Sequence, residues 1–170
     1  MTRLAQPIRD FVRKMEWEDD VEEREEKASA HLSTRIGVGG QPCQLYIDAQ
    51  DDLDAISVFC YLPFHATPAH LAQACILSNA INRRSRHCRV EIDPDDGEIR
   101  GVVSADFEGL EPTGANVEAM FHFCVGVLRD WMPSIAEVAV VGRSAQDVLG
   151  ARDAAARIGA DDTPGDVDAE

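Results

Sequence analysis

The stretch CRVEIDPDDGEIRGVVSADF, residues 88–107, decides the fold. Arg89 to Ile92 and Ile99 to Phe107 are rich in β-branched residues and flank Asp95-Asp96-Gly97-Glu98. Asp-Gly between two such runs predicts an antiparallel hairpin closed by a type I′ turn, with positive φ at both central residues. Upstream, Thr67-Pro68 opens a helix over about 69–84, with Leu71, Ala74, Cys75, Ser78 and Ile81 along one side. Downstream, Thr113 caps a helix to about Trp131. Its apolar stripe comprises Val117, Met120, Phe121, Cys124, Val125, Leu128, Trp131 and Met132. At about 2 kcal/mol per buried large side chain this helix is the largest core contributor, and Pro133 is expected to stop it.

Further towards the N-terminus, Ile8, Phe11, Val12 and Met15 recur at helical spacing behind Pro7. The period then changes to two. Ala28, Ala30, Leu32, Thr34 and Ile36 alternate with polar residues, and Gly37-Val38-Gly39-Gly40 turns the chain. Cys43, Leu45 and Ile47 alternate with Gln44, Tyr46 and Asp48, and a polar loop over 48–54 leads to the apolar strand 55–62. A last helix over 144–158 starts with Ser-x-x-Asp. The order α-β-β-β-α-β-β-α predicts an α+β fold of two layers, an antiparallel sheet with helices on one face.

This order, with the segments Leu77-Ser-Asn-Ala-Ile-Asn82, Cys88 to Asp93, the Asp-Gly turn, Glu111-Pro-Thr113 and Trp131-Met-Pro133, resembles the YbjN family of bacterial proteins. The likeness covers residues 7–135. It implies the fold of type III secretion chaperones and a non-enzymatic, cytoplasmic protein with a sensory or regulatory role. Chaperones of that fold are homodimers that bind extended segments of partner proteins, so a homodimer with a protein or peptide partner is expected. Residues 1–135 then form the domain, with 16–27 as an acidic insert. Residues 136–158 form a linker and C-terminal helix, and 159–170 a disordered acidic tail.

The chain has 170 residues, 16 Lys plus Arg against 31 Asp plus Glu, and a formal charge of −15. That field disfavours nucleic acid and anionic membranes, which need a basic face. Residues 16–27 carry eight acids and two bases, and 151–170 six acids and two bases, so these flanks hold −10 of the total. No apolar run approaches a membrane span, and MTRLAQPIRDFVRK lacks a signal-peptide core. Both point to the cytoplasm.

Residues with chemical potential form no catalytic set. Cys43, Cys60, Cys75, Cys88 and Cys124 are odd in number and show no zinc-like spacing. Pairing Ile47 with Ile56 sets Leu45 opposite Val58 and Cys43 opposite Cys60, as small core residues. His65 and His70 straddle a proline, and His122 points away from Cys124 by about 200° on one helix. A Cys–His pair could be assembled from distant positions, for example Cys88 with His122, against ordinary packing and solvent exposure. Asp93 to Gly97 fails as a calcium loop, with Gly97 fifth and Ser104 twelfth. Gly37 to Gly40 precedes no helix and no Lys-Ser/Thr, so it is no phosphate loop. No residue set calls for a cofactor or metal.

Two surfaces remain. If Ile56, Val58, Cys60 and Leu62 face the helices, Phe59 and Tyr61 face away, beside Tyr46 and Val102. Such an apolar patch marks a partner or dimer interface, unless the acidic segment or the C-terminal helix folds over it. Strand addition at a sheet edge would extend it. Arg83, Arg84, Arg86 and Arg89, with His87, form a basic cluster that complements a helix dipole or docks an acidic segment, either 16–27 or the tail, of the same or a neighbouring chain. Competing readings are a ligand-sensing domain with a pocket between sheet and helices, and a small enzyme.

Overall fold

The computed structural model describes residues 2–161. Among these, six strands form one antiparallel sheet, flanked by four helices. The helices are α1 (Ala5–Lys14), α2 (Leu71–Arg84), α3 (Gly114–Ala139) and α4 (Ala145–Asp161). The strands are β1 (Glu22–Arg24), β2 (Ser29–Val38), β3 (Gln41–Gln50), β4 (Ala55–Tyr61), β5 (Arg89–Ile92) and β6 (Ile99–Asp106), ordered β1-β2-β3-β4-β6-β5. The expected α+β class holds, with one strand more than the periodicity predicts. Of the tail expected to be disordered over 159–170, the first three residues continue α4 to Asp161, and 162–170 lie outside the described residues.

The core lies between the sheet's inner face and α1 and α3. Alternate residues Leu45, Ile47, Ile56, Val58 and Cys60 are fully covered, as period two requires. They pack against Ile8 and Phe11 of α1 and Val117, Cys124 and Leu128 of α3. A Cβ at Gly101 would stand 3.0 Å from Leu128 and 3.1 Å from Cys124 Sγ, so the missing side chain lets α3 press onto β6. Phe11, Trp17 and Phe121 meet with ring centroids 5.3–5.7 Å apart, joining α1 to α3.

The structure corrects several local expectations. β3 pairs Ile47 with Val58 and Leu45 with Cys60, two residues from the expected register. Strand β3 runs on to Gln50, and a 3₁₀ turn (Asp51–Leu53) with Asp54 at φ 48° closes the hairpin. A two-residue slip keeps parity, so every inward side chain stays inward. The hairpin after β5 is not type I′: only Gly97 has positive φ, and its N–H donates to Asp93 O over four residues. The two-residue turn with both φ positive is Gly39-Gly40, between Val38 and Gln41. On α2, Leu77 is buried and Cys75 exposed. The buried face is 74, 77, 78 and 81, one helical stripe that leaves position 75 outside.

Pro133 lies inside α3 instead of ending it. The stripe continues through Ile135, Val138 and Ala139, all buried, so packing outweighs the lost hydrogen bond. Proline loosens carbonyls of the preceding turn, and Arg152 of α4 donates to one of them, Asp130 O, at 3.0 Å. Its guanidinium also lies 4.0 Å from the Trp131 ring centroid. With Ala145 and Val148 buried and Asp147 N–H donating to Ser144 Oγ at 3.1 Å, α4 is docked and capped as its first residues predict.

Part of the acidic stretch 16–27 joins the sheet as its edge strand β1. Glu22–Arg24 pair with His31–Ser29, and Asp19 accepts from Thr34 Oγ1 at 2.9 Å. Glu23 pairs with Arg9 of α1 and accepts the Thr2 N–H at 2.6 Å. The Arg9 hydrogen bond, then the Thr2 N–H, hold its carboxyl down from 4.5 to about 2. A lowered folded value stabilises the fold above the ordinary pKa and is lost as pH falls through the folded one. We therefore expect β1 to stay paired at pH 5 and to loosen between about pH 4.5 and 2, read by amide exchange at 22–24 and 29–31. Arg9→Gln should move the Glu23 midpoint up towards 4.5 in a carboxyl titration, and an unmoved midpoint would contradict the pairing.

Candidate functional site

The sheet's outer face is built by parity. Residues opposite one another across the strands share a face, so Ser33, Tyr46, Phe59, Val102 and Arg89 form one row from β2 to β5. A second row is Arg35, Gln44, Tyr61, Arg100 and Glu91, and a third is His31, Asp48, Ser57 and Ser104. α1 and α3 lie on the inner face, α2 against β5 and α3, and α4 against α2 and α3. Neither the acidic segment nor α4 folds over the aromatics, which is the competing reading of this patch. Val102 is 4% exposed and already covered by its neighbours, so Tyr46, Phe59 and Tyr61, each half-buried, make the accessible part.

These rings are ordered by a cation. Arg100 Nη1 donates to Tyr61 Oη at 2.9 Å, while Nε and Nη2 donate to Glu91 at 3.1 and 3.0 Å. The same guanidinium lies 5.3 Å from the Phe59 centroid and 5.7 Å from that of Tyr61. Tyr46 meets Tyr61 edge-on at 5.4 Å and His31 at 5.5 Å. Sequence reasoning missed Arg100 and Glu91, although both follow once the parity of Val102 is known. Charges on this face balance. Arg24, Arg35, Arg89 and Arg100 oppose Glu22, Asp48, Glu91 and Asp106, on a chain of −15.

The third row has the residue types of a nucleophilic triad in the wrong order. Asp48 Oδ1 lies 2.5 Å from His31 Nδ1, and Ser57 Oγ lies 2.8 Å from Ser104 Oγ. The carboxylate strand stands between imidazole and hydroxyl, two strand spacings or about 10 Å, so His31 cannot take the Ser57 proton. Cys88 and His122 do not meet: Cys88 is buried beside Cys124, and exposed His122 faces Glu118 at 3.8 Å. Contact with Cys43 and burial push the Cys60 thiol up, as contact with Cys88 and burial do for Cys124, so neither supplies a thiolate. Among the described residues no group of three His, Cys, Asp or Glu could hold a metal ion.

The basic cluster sits at the opposite edge from the acidic segment. Arg84 meets Asp153 of α4 at 3.4 Å and Arg89 meets Glu91 at 4.0 Å. His87 stacks on Phe123 with centroids 4.4 Å apart. Residues 16–27 lie on the β1 side, about 24 Å away across five strand spacings, and cannot reach this cluster within one chain. A cleft of about 420 Å³ opens at the rim of the fold, between the Gly39–Gln41 turn, Phe64 and the end of α3, lined by Met132, Pro133 and Val141. Its walls come from the β2–β3 hairpin on the sheet side and from α3 on the helix side.

One edge is closed. Val90 N–H donates to Asn82 Oδ1 at 2.7 Å, and Val90 O accepts from Asn82 Nδ2 at 3.0 Å and Ser78 Oγ at 2.6 Å. The Asn82 amide stands where the next strand would pair, so β5 offers no free ladder at Val90. Leu77 to Asn82, one of the segments that carry the family resemblance, thus supplies an edge clamp through Ser78 and Asn82.

The family model of YbjN, described as "Putative bacterial sensory transduction regulator", matches residues 6–137. No curated protein matches the sequence. Among solved structures the chain is similar to YbjN from E. coli, described as "a putative transcription regulator". The identity is 16%, over 75% of this chain and 89% of that one, with a TM-score of 0.47. It is also similar to a chain of the HopA1-SchA chaperone-effector complex, at 14% identity over 76% and 91%, with a TM-score of 0.48.

Proposed function

Because this chain belongs to the YbjN family, we propose that it is a non-enzymatic, protein-binding regulatory module of the cytoplasm, whose working surface is the outer face of the sheet. The observation that carries this reading is the Tyr46–Phe59–Tyr61 patch, open to solvent on a face without net charge. A partner's apolar side chains would drive water from these rings, worth about 2 kcal/mol for each large side chain fully covered. Arg100 is held in place beforehand by Glu91 and Tyr61, so little order is lost on binding. Arg35, without an ion pair among the described residues, offers a contact for a carboxylate at the end of the patch. Since the clamp at Val90 closes β5, binding uses this face and not strand addition there.

The same face serves for pairing two copies, because its balanced charge removes the repulsion that chains of −15 meet elsewhere. The whole-chain field weighs against nucleic acid, and no described helix is long and apolar enough to cross a membrane. Tyr61→Asp puts a carboxylate amid the rings and is the test. Folded Tyr61→Asp should drop to monomer mass in light scattering, or lose at least about tenfold in enrichment of peptides from a displayed library. Unchanged mass together with unchanged enrichment, at an unchanged melting temperature, would sink the reading. A ligand-sensing role rests on the rim cleft alone, and a small molecule seated there would raise thermal stability.

A further inference from the structure

We propose that residues 162–170 of this chain dock on its own basic cluster, along Arg83, Arg86 and the His87–Phe123 stack. The segment DTPGDVDAE carries Asp162, Asp166, Asp168 and Glu170 and no base, so it has the one charge this surface can accept. Arg83 and Arg86 are exposed and have no carboxylate partner among the described residues. Arg84, between them, already takes a carboxylate from α4, Asp153 at 3.4 Å. That pair fixes where the segment starts. From Asp153 the helix α4 runs eight more residues, about 12 Å, past the C-terminus of α2. Nine further residues can extend about 30 Å, enough to fold back across Arg83, Arg86 and His87.

Alternatives on the same chain are weaker. The acidic stretch 16–27 is tied to β2 and α1 at the far edge. Tethering supplies the rest of the argument: a segment joined through so short a path is present at an effective concentration in the millimolar range, which a free acidic peptide must exceed. On a chain of −15 the cluster is also where positive potential gathers, so acids leave a repelling field when they settle there.

Cleavage ahead of Asp166 by an Asp-directed endoprotease tests the contact in the full chain, comparing wild type with Arg83→Ser/Arg86→Ser in parallel so that the protease's own salt response cancels. In 20 mM NaCl wild type should be cut about fivefold more slowly than the variant, the effect of two exposed ion pairs. In 500 mM NaCl the two rates should agree. Equal rates at 20 mM overturn the proposal. Protection that disappears on tenfold dilution also overturns it, since it assigns the contact to a neighbouring copy. The ring proton shifts of His87, compared between wild type and a chain with Asp162, Asp166, Asp168→Asn and Glu170→Gln, give an independent reading. Coincident shifts count against docking.

Discussion

Gly97→Ala is expected to cost about 3–4 kcal/mol, a large loss for one added methyl group. At φ +76° the residue is in the left-handed region, where a side chain alone costs about 1–2 kcal/mol. The added Cβ would also meet the carbonyl oxygen of Ala66 far inside contact distance. Backbone cannot swing aside as a side chain would, because Ala66 N–H donates to Gly97 O at 2.8 Å and Leu62 N–H to Ile99 O at 2.9 Å. The hairpin and the loop after β4 must separate, orphaning those groups. Gly40→Ala supplies the control: φ is +79° there too, but nothing lies within 4 Å of the added atom, so only about 1 kcal/mol of strain is expected. Urea unfolding of both variants decides, and equal losses would remove the Ala66 contact as the cause. The effect reaches the candidate site. Tyr61 is the last residue of β4, and Arg100 is its partner on β6, just beyond this junction.

Much of that site is legible in the sequence because parity survives errors of register. Pairing Ile47 with Ile56 rather than with Val58 misplaces the hairpin by two residues, yet Phe59 and Tyr61 still point away from the helices. What parity cannot supply is which long polar side chains lie over the rings. Parity places Arg100 on this face, but not its reach over the rings to Glu91 and Tyr61. The acidic stretch 16–27 defeats sequence reasoning for a different reason. Three residues with no apolar member form β1 because β2 is ten residues long and its outer edge near Ser29–His31 needs a partner. Pro133 misleads because local propensity argues for a stop while four buried residues beyond it, Ser134, Ile135, Val138 and Ala139, keep the helix against the core. Asp96-Gly97 is the reverse case: a strong local signal gives the right hairpin with the wrong turn, because the bond from Ala66 to Gly97 O selects a longer loop.

Asn82→Ala is expected to lose about 2–3 kcal/mol although the residue is only partly buried, since it removes two hydrogen bonds and orphans a buried donor. Val90 is 1% exposed, so its N–H has no water to turn to once Oδ1 is gone. Ser78 still serves Val90 O at 2.6 Å, which keeps the loss below that of a wholly stripped edge. Asn82→Asp separates the two halves of the clamp. An aspartate can still accept from Val90 N–H, but only its protonated form can donate to Val90 O. Its folded pKa is therefore raised above the ordinary value of about 4. A raised value stabilises below the unfolded pKa and is lost as pH rises, so the deficit against wild type should be small at pH 3.5 and grow by pH 7. Urea midpoints of the three proteins at both pH values measure this, and an Asn82→Ala midpoint matching wild type would show that the clamp is idle. A functional consequence separates the clamp from ordinary core packing. With Asn82 gone, Val90 N–H loses its partner while Ser78 still holds Val90 O, so wherever α2 lifts from β5 that N–H can pair with a strand from another chain. Asn82→Ala should therefore gain mass in light scattering while still folded, where Tyr61→Asp loses it. The two variants thus assign opposite roles to one edge and the face of the sheet: the β5 edge is kept shut, and the face selects the partner.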